Sequence, residues 1–278
     1  MKKNSESKLV YKYMSFDTLE VILDNNSLLL TDIQKSNDKT ELKLIYSVLW
    51  EVFLEEFNKA NPKYMERNFP EKEFRKFYKN NTDFINKAEK SLHTQYVTCF
   101  SSLGDMLSQW RGYGSDGKGI SMGFEEIWFK KLSPEYCFDK VRYNHKKQKA
   151  VVRRDIEVVV RMIRRYVKEN GTIEGFDVLQ FQTAYNALLL KGSLIKHPFF
   201  KEERESRLCF WHTNNLKEKN LLLKKNAIKE IIIGPKCEIR KEDIEKLLDK
   251  HNVNCVVKFS VGHGIYVDSE NQNKKESK

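Results

Sequence analysis

The sequence predicts an α+β protein in which helical insertions interrupt a central β-sheet. Short β-favouring segments occur near both ends and in the middle of the chain, at residues 9–14, 27–31, 95–100, 120–124, 136–143, 203–212, 220–225, 228–233, 254–260 and 264–267. Apolar residues instead recur at helical spacing in residues 40–57, 146–169 and 176–190. Strands that cluster apart from the helices are typical of this class.

We expect a single globular domain over residues 1–267. Helical insertions are predicted at 59–94 and 146–192, and the polar tail at 268–278 is predicted to be disordered. Asp17-Thr18-Leu19-Glu20 has the form of a capping box and is expected to begin the first helix.

Composition places the chain among cytoplasmic globular proteins. The 278 residues are 40% hydrophobic, and no apolar run reaches the roughly 18–20 residues of a membrane helix. The N-terminus has no apolar segment of the kind found in secretory signals. Five scattered cysteines without a Cys-x-x-Cys pair are expected to be reduced and mostly buried.

The net charge of +11 suggests affinity for nucleic acid, a nucleotide or another polyanion. The basic residues concentrate in blocks such as Lys146–Lys149 and Arg161–Arg165, outside any recognised DNA- or RNA-binding motif. A charge that only keeps the protein soluble is the alternative interpretation.

Two glutamates and an arginine alternate along the segment predicted at 203–212. On a strand, Glu203, Glu205 and Arg207 share one face, with the two carboxylates roughly 6.5–7 Å apart by strand rise. Arg207 can then hold one carboxylate ionised, and two acids in unlike environments are common at catalytic sites. The alternative is a charged, solvated edge strand.

A second group of candidate residues follows the strand at 95–100. Ser101 at the strand end can bind phosphate or ribose oxygens, and Trp110 or Tyr113 can stack on a planar base. Alternatively, Trp110 fills the core and Ser101 caps the short helix that follows.

Nucleotide-loop and metal motifs are absent from the sequence. The loop Gly112–Gly119 fails the P-loop pattern because Gly119 stands where Ser or Thr is needed, so a flexible loop is the better interpretation. The six histidines show no metal-ligand spacing.

Six motifs in order resemble domain of unknown function 2971, a mainly prokaryotic family. They are Tyr11-Lys12-Tyr13-Met14-Ser15, Asn37-Asp38-Lys39-Thr40-Glu41, Cys99-Phe100-Ser101 with Trp110 and Tyr113, Gly119–Phe124, Glu203-x-Glu205-x-Arg207, and Ile231-Ile232-Ile233-Gly234. Lys39 departs from the pattern, which usually has proline at that position. The resemblance spans roughly residues 9–265 and names no reaction.

The same order of motifs remotely resembles ADP-ribosyltransferases, which place NAD across a split sheet. The resemblance implies a mixed or split central sheet of that type, with Glu205 or Glu203 as the catalytic acid and Arg207 as its orienting partner. Lys12 or Tyr13, Ser101 and Tyr113 would contact NAD, and Trp110 would belong to the same binding surface. The first-strand His or Arg of those enzymes is replaced here by Lys12 and Tyr13 as candidates.

Three functional hypotheses remain open. The first is an NAD-consuming or ADP-ribosylating effector in phage defence or toxin-like conflict, acting on NAD and a protein or nucleic-acid target. The second is a non-catalytic module that binds nucleic acid or a nucleotide signal. The third is a metal-dependent nuclease with Glu203 and Glu205 as ligands.

Overall fold

The computed structural model describes residues 8–33, 41–59, 94–171, 191–212, 219–263 and 265. The interior of the insertion predicted at 59–94, the helix predicted at 176–190 and the last predicted strand, apart from Ile265, lie outside the described residues. The turn at Asn37 and Asp38 also lies outside them.

Within the described residues, nine strands form one mixed sheet, which confirms the predicted α+β class. The strands are β1 Leu9–Met14, β2 Ser27–Asp32, β3 Thr94–Ser101, β4 Ile120–Glu125, β5 Tyr136–Lys140, β6 Glu205–His212, β7 Lys219–Leu222, β8 Ile228–Ile233 and β9 Val256–Phe259. The main order is β5-β6-β3-β1-β4-β8-β9, while β2 pairs with β3 and β7. Only β8 and β9 run parallel among the pairs described.

Helices fill the connections between these strands. The α-helices are α1 Phe16–Asn25, α2 Glu41–Asn58, α3 Leu107–Tyr113, α4 Glu126–Lys130, α5 His145–Asn170 and α6 Lys241–Lys250. Among the residues that the structure describes, 3₁₀ helices also occupy Ser115–Gly117 and Pro198–Glu203. Within the described residues, no helix is long and apolar enough to span a membrane.

The first helix begins two residues earlier than its predicted capping box. Ser15 is the N-cap, and its hydroxyl accepts a hydrogen bond from the Thr18 backbone N–H. Asp17 therefore lies in the first turn, where its charge favours the helix dipole. The buried side of the helix consists of Leu19, Ile22 and Leu23.

The sheet forks at strand β3. One end of β3 pairs with β1 through Ser101 and Tyr11, whereas the other end pairs with β2 through Val97 and Thr31. Between these ends β3 leaves the side of β1 and continues beside β2. The other edge of β3 stays paired with β6 along its whole length, from Thr94 to Ser101. The fork therefore opens a gap on one side of a firmly held strand.

Helices α2 and α5 pack face to face and form a hydrophobic core separate from that of the sheet. This core contains Val48, Val52, Val159 and Ile163 together with Ile195 from the segment before β6. Burying such aliphatic side chains stabilises each helix far more than its intrinsic propensity does.

A buried glutamine joins the helical pair to that segment. The Gln148 amide of α5 donates to the backbone carbonyls of Arg142 and Lys196, at 2.9 Å each. An isolated parallel bridge pairs Arg142 with Ile195 at the same point. The backbone next to Lys196 is thus fixed by helix α5.

Candidate functional site

A cavity of about 370 Å³ lies at the fork of the sheet. Its wall combines side chains from β1, β2, β3, α3 and the stretch that leads into β6. The predicted site residues that line it are Lys12, Tyr13, Ser101, Tyr113, Glu203, Glu205 and Arg207. The fold therefore brings together residues that lie up to about 195 positions apart in the sequence.

The predicted strand does not extend back to Glu203. Strand β6 begins at Glu205, and Glu203 ends the 3₁₀ helix before it. Arg204 between them has φ 46°, in the left-handed region, which turns the chain sharply. The prediction that strand alternation places both carboxylates on one face was wrong for this reason.

The two carboxylates still converge, because both bind the ammonium group of Lys196. The Lys196 Nζ lies 2.6 Å from Glu203 Oε2 and 3.3 Å from Glu205 Oε2. Lys196 is 6% exposed, and its Nζ also sits 4.7 Å from the centre of the Phe200 ring. Burial alone would lower the pKa of Lys196, but Glu205 and Glu203 raise it above its ordinary value. Lys196 is therefore a cation held between two anions.

Glu205 is clamped from two sides. Arg207 donates through Nε to Oε1 at 2.7 Å and through Nη2 to Oε2 at 3.1 Å. The remaining Nη1 of Arg207 donates to the Ser193 carbonyl at 2.8 Å. Burial alone would raise the pKa of Glu205, but Arg207 and then Lys196 lower it below its ordinary value. The prediction that Arg207 holds one carboxylate ionised agrees with this geometry.

Glu203 has a different environment. Its side chain is 16% exposed, and its Oε1 accepts a hydrogen bond of 3.1 Å from the Tyr113 hydroxyl. The Ser101 hydroxyl fixes the backbone instead, because it donates to the Glu203 carbonyl at 2.9 Å. Ser101 thus holds Glu203 in place and does not cap the short helix, whose N-cap is Met106.

Tyr13 lines the cavity, whereas Trp110 packs behind it in the core. The Trp110 indole is 2% exposed, meets the Tyr13 ring edge-on at 4.8 Å and donates to Asp105 at 2.7 Å. Trp110 is therefore a core residue outside the cavity lining, and it cannot stack on a ligand as predicted. The Tyr13 hydroxyl donates to the Leu103 carbonyl at 2.8 Å and accepts from the Met106 backbone N–H at 3.0 Å, so it is held by the loop before α3.

Lys12 enters the gap of the fork. Its Nζ donates to the Thr98 hydroxyl at 3.0 Å, which is a neutral acceptor. Burial lowers the pKa of Lys12, although Cys99 and Glu205 act in the opposite direction. The ammonium form is costly in this position unless a further anion arrives. Lys12 is thus a lysine of the cavity wall whose hydrogen bond in the described residues goes to a neutral hydroxyl.

Sequence reasoning missed two members of the site. Lys196 lies seven residues before Glu203 in the same charged stretch, and the nearby carboxylates were the signal that could have assigned it. Cys99 was expected to be one of several buried thiols, yet its side chain faces the cavity, and only Cys209 and Cys237 are buried. Withdrawal from bulk water and the Glu205 carboxylate raise the pKa of Cys99, so its thiol is protonated at neutral pH.

The charges of the site do not favour a metal ion. Within the described residues, no group of three His, Cys, Asp or Glu side chains could hold one. The carboxylates that would be its ligands are already bound by Lys196 and Arg207. A divalent cation would have to displace both of these cations.

The comparisons with known proteins agree with part of the predicted resemblance. Residues 109–208 match the family described as Protein of unknown function (DUF2971). The DUF2971 match includes Tyr113, Glu203, Glu205 and Arg207 and ends one residue into the apolar part of β6. No curated protein and no solved structure matches the chain, so the resemblance to ADP-ribosyltransferases gains no support from them.

Acid is expected to weaken the fold through Glu205. A carboxyl whose folded pKa is lowered stabilises the fold fully above its unfolded pKa, near the ordinary 4.5, and loses that contribution as the pH falls through the folded pKa. The difference in unfolding free energy between the wild type and Glu205→Gln should therefore be largest near neutral pH. It should shrink below about pH 4.5 in urea titrations. A difference that stays constant down to about pH 3 would contradict the pairing.

Proposed function

We propose that the cavity binds NAD and that the protein cleaves the bond between nicotinamide and ribose, either by hydrolysis or by ADP-ribosyl transfer. The observation that carries this proposal is the convergence of Glu203 with Tyr11, Tyr113 and Phe200 and with Lys12 in one cavity at the fork of the sheet. An NAD-consuming activity would suit a toxin-like or phage-defence effector.

The aromatic wall supports the choice of a nucleotide ligand. Tyr11, Tyr113 and Phe200 line the cavity and are not fully buried, so they can offer aromatic surface to a planar nicotinamide. A cavity of about 370 Å³ is at the small end of the range for ligand sites, so it suits the nicotinamide–ribose half of NAD.

The cations support a ligand with phosphates. Lys196 and Arg207 are neutralised by Glu203 and Glu205, which leaves Lys12 with only the Thr98 hydroxyl as its hydrogen-bond partner in the described residues. A phosphate of NAD near Lys12 would favour its ammonium form and bind it in a region of low dielectric, where charge–charge interactions are strong.

Glu203 is the carboxylate best suited to act on the ribose. As nicotinamide leaves, it takes the bonding electron pair, its ring nitrogen becomes neutral, and positive charge develops at C1′ of the ribose. A carboxylate near C1′ stabilises that charge, as in glycoside cleavage. Water or an acceptor group then bonds to C1′ and releases a proton.

Glu205 is better suited to a positioning role. Both of its oxygens are bound by Arg207, one of them also by Lys196, and its side chain is 6% exposed. Glu203 is more open, and Tyr113, whose hydroxyl it accepts from, is 47% exposed. A ligand can replace the Tyr113 hydrogen bond at little cost, whereas it cannot replace the clamp of Arg207.

The proposal is tested with NAD labelled separately in its nicotinamide and adenosine halves. Purified protein should release labelled nicotinamide, and the adenosine label should appear either as free ADP-ribose or on an acceptor in added cell extract. The absence of both nicotinamide release and label transfer, with and without extract, would overturn the proposal.

The nuclease hypothesis has no comparable support. A metal held by both glutamates would need Glu205, whose two oxygens are already bound by Arg207 and Lys196. The binding of nucleic acid has a separate basis on helix α5.

A further inference from the structure

Helix α5 presents a continuous basic face to solvent. Its six exposed cationic side chains are Lys146, Lys147, Arg154, Arg161, Arg165 and Lys168, which we call the basic stripe. At 3.6 residues per turn they fall within an arc of about 100°, and at 1.5 Å per residue they extend over about 33 Å. The buried residues of the helix, such as Val152, Ile156 and Ile163, lie on the opposite side.

The residues of the basic stripe do not form the ion pairs described between α5 and α2. In the described part of the chain, the ion pairs between these helices use His145, Lys149 and Arg153 with glutamates of α2. None of those three residues belongs to the stripe. Within the arc on α5, Glu157 is the carboxylate present, and it is only partly exposed.

Two residues of the basic stripe do not stabilise helix α5. Lys146 and Lys147 lie in the first turn, which contains no acidic residue. Cations at a helix N-terminus oppose the helix dipole, so these two lysines weaken the helix that carries them. A role in binding accounts for their presence, whereas helix stability does not.

We propose that the basic stripe binds the phosphate backbone of a nucleic-acid duplex without reading its sequence. The length of the stripe, about 33 Å, matches one turn of a duplex of roughly 34–36 Å. A straight, rigid row of cations suits a rigid duplex, in which regularly spaced phosphates provide most of the affinity.

Other polyanions fit this face less well. Ala150 and Val158 are the exposed apolar residues on or beside the arc, which has no exposed aromatic ring. A helix that lies in a membrane surface needs a large apolar face to insert, and α5 uses its apolar face against α2. Single strands are held largely by stacking on aromatic rings, which the stripe does not offer.

The test measures the binding of the full chain to a duplex of about 20 base pairs at salt concentrations from about 50 to 200 mM. The variant R154Q/R161Q/R165Q should bind more than about tenfold more weakly than the wild type. Its plot of log affinity against log salt should be shallower by about 0.9 for each phosphate that the variant no longer neutralises. The control K225Q/K246Q/K250Q removes the same charge from exposed positions elsewhere and should change affinity less than about twofold.

A second variant separates binding from folding. K146Q/K147Q removes the two cations that oppose the helix dipole, so the helix should be at least as stable, yet duplex binding should still weaken. Each of three results would overturn the proposal. They are equal weakening of binding in the control variant, unchanged binding in both stripe variants, and tighter binding of a single strand than of the duplex. The inference is independent of NAD cleavage, because its readout is binding alone.

Discussion

Replacing Arg207 with methionine is expected to lower the free energy of unfolding by about 3–5 kcal/mol. The change leaves the Glu205 carboxylate buried with Lys196 as its remaining cation, at 3.3 Å, and removes the bidentate pair. It also removes the donor to the Ser193 carbonyl. Urea or thermal denaturation of the purified variant measures the loss.

Two further variants serve as controls for this prediction. Arg240 makes a similar two-bond contact with Asp243, but its side chain is 71% exposed and solvent screens the pair, so Arg240→Met should cost far less stability than Arg207→Met. The double variant E205Q/R207M also removes the buried Glu205 charge and should therefore recover part of the lost unfolding free energy. An Arg207→Met protein as stable as the Arg240→Met protein would show that the buried pair does not support the fold.

Replacing Glu203 with glutamine is expected to lower NAD cleavage by about 10²–10³-fold while leaving the fold stable. The substitution keeps the shape and the acceptor for the Tyr113 hydroxyl but removes the negative charge that the proposed mechanism places near C1′ of the ribose. Turnover with labelled NAD and the midpoint of thermal unfolding are the two measurements.

The neighbouring glutamates separate a catalytic role from a positioning role. Glu202 lies in the same 3₁₀ helix, is exposed and does not line the cavity, so Glu202→Gln should leave turnover unchanged. Glu205→Gln should lower both stability and turnover, because it loosens Arg207 and Lys196 together. If Glu203→Gln retains full turnover in a protein that cleaves NAD, Glu203 does not act on the ribose.

Elements with strong local patterns were predictable from the sequence. Strand β4 lies where a run of β-favouring residues predicted it, and helices α2 and α5 lie where helical spacing of apolar residues predicted them. The helical period is regular because one face of each helix is buried. The end of β3 at Ser101 was also predicted, since a turn-forming run follows it.

Elements that depend on one backbone angle were not predictable in the same way. The chain from Glu203 to Arg207 alternates as a strand would, but Arg204 adopts a left-handed conformation that residue preferences do not indicate for arginine. Ser15 and Asp17 are both acceptable caps, and only the position of the first turn decides between them.

The sequence indicated which residues line the cavity better than it indicated what each residue contacts. Its position at a strand end selected Ser101, the alternation of charged residues selected Glu205, and the resemblance to ADP-ribosyltransferases selected Lys12. The roles depend on contacts between distant segments, such as Ser101 with the Glu203 backbone and Lys196 with both glutamates. Trp110 is an example, since the sequence allows its indole either to stack on a ligand or to fill the core. Its burial and its hydrogen bond to Asp105 decide for the core.

The hydrogen bonds of Gln148 give the two proposed surfaces a mechanical connection. The residue lies on the helix that carries the basic stripe and holds the carbonyl of Lys196, whose ammonium bridges the two carboxylates of the cavity. A movement of helix α5 must therefore either stretch these hydrogen bonds or move Lys196 with the helix. If binding of a duplex to the basic stripe changes the affinity of the cavity for its ligand through these bonds, that ligand must change the affinity of the stripe for the duplex by the same factor.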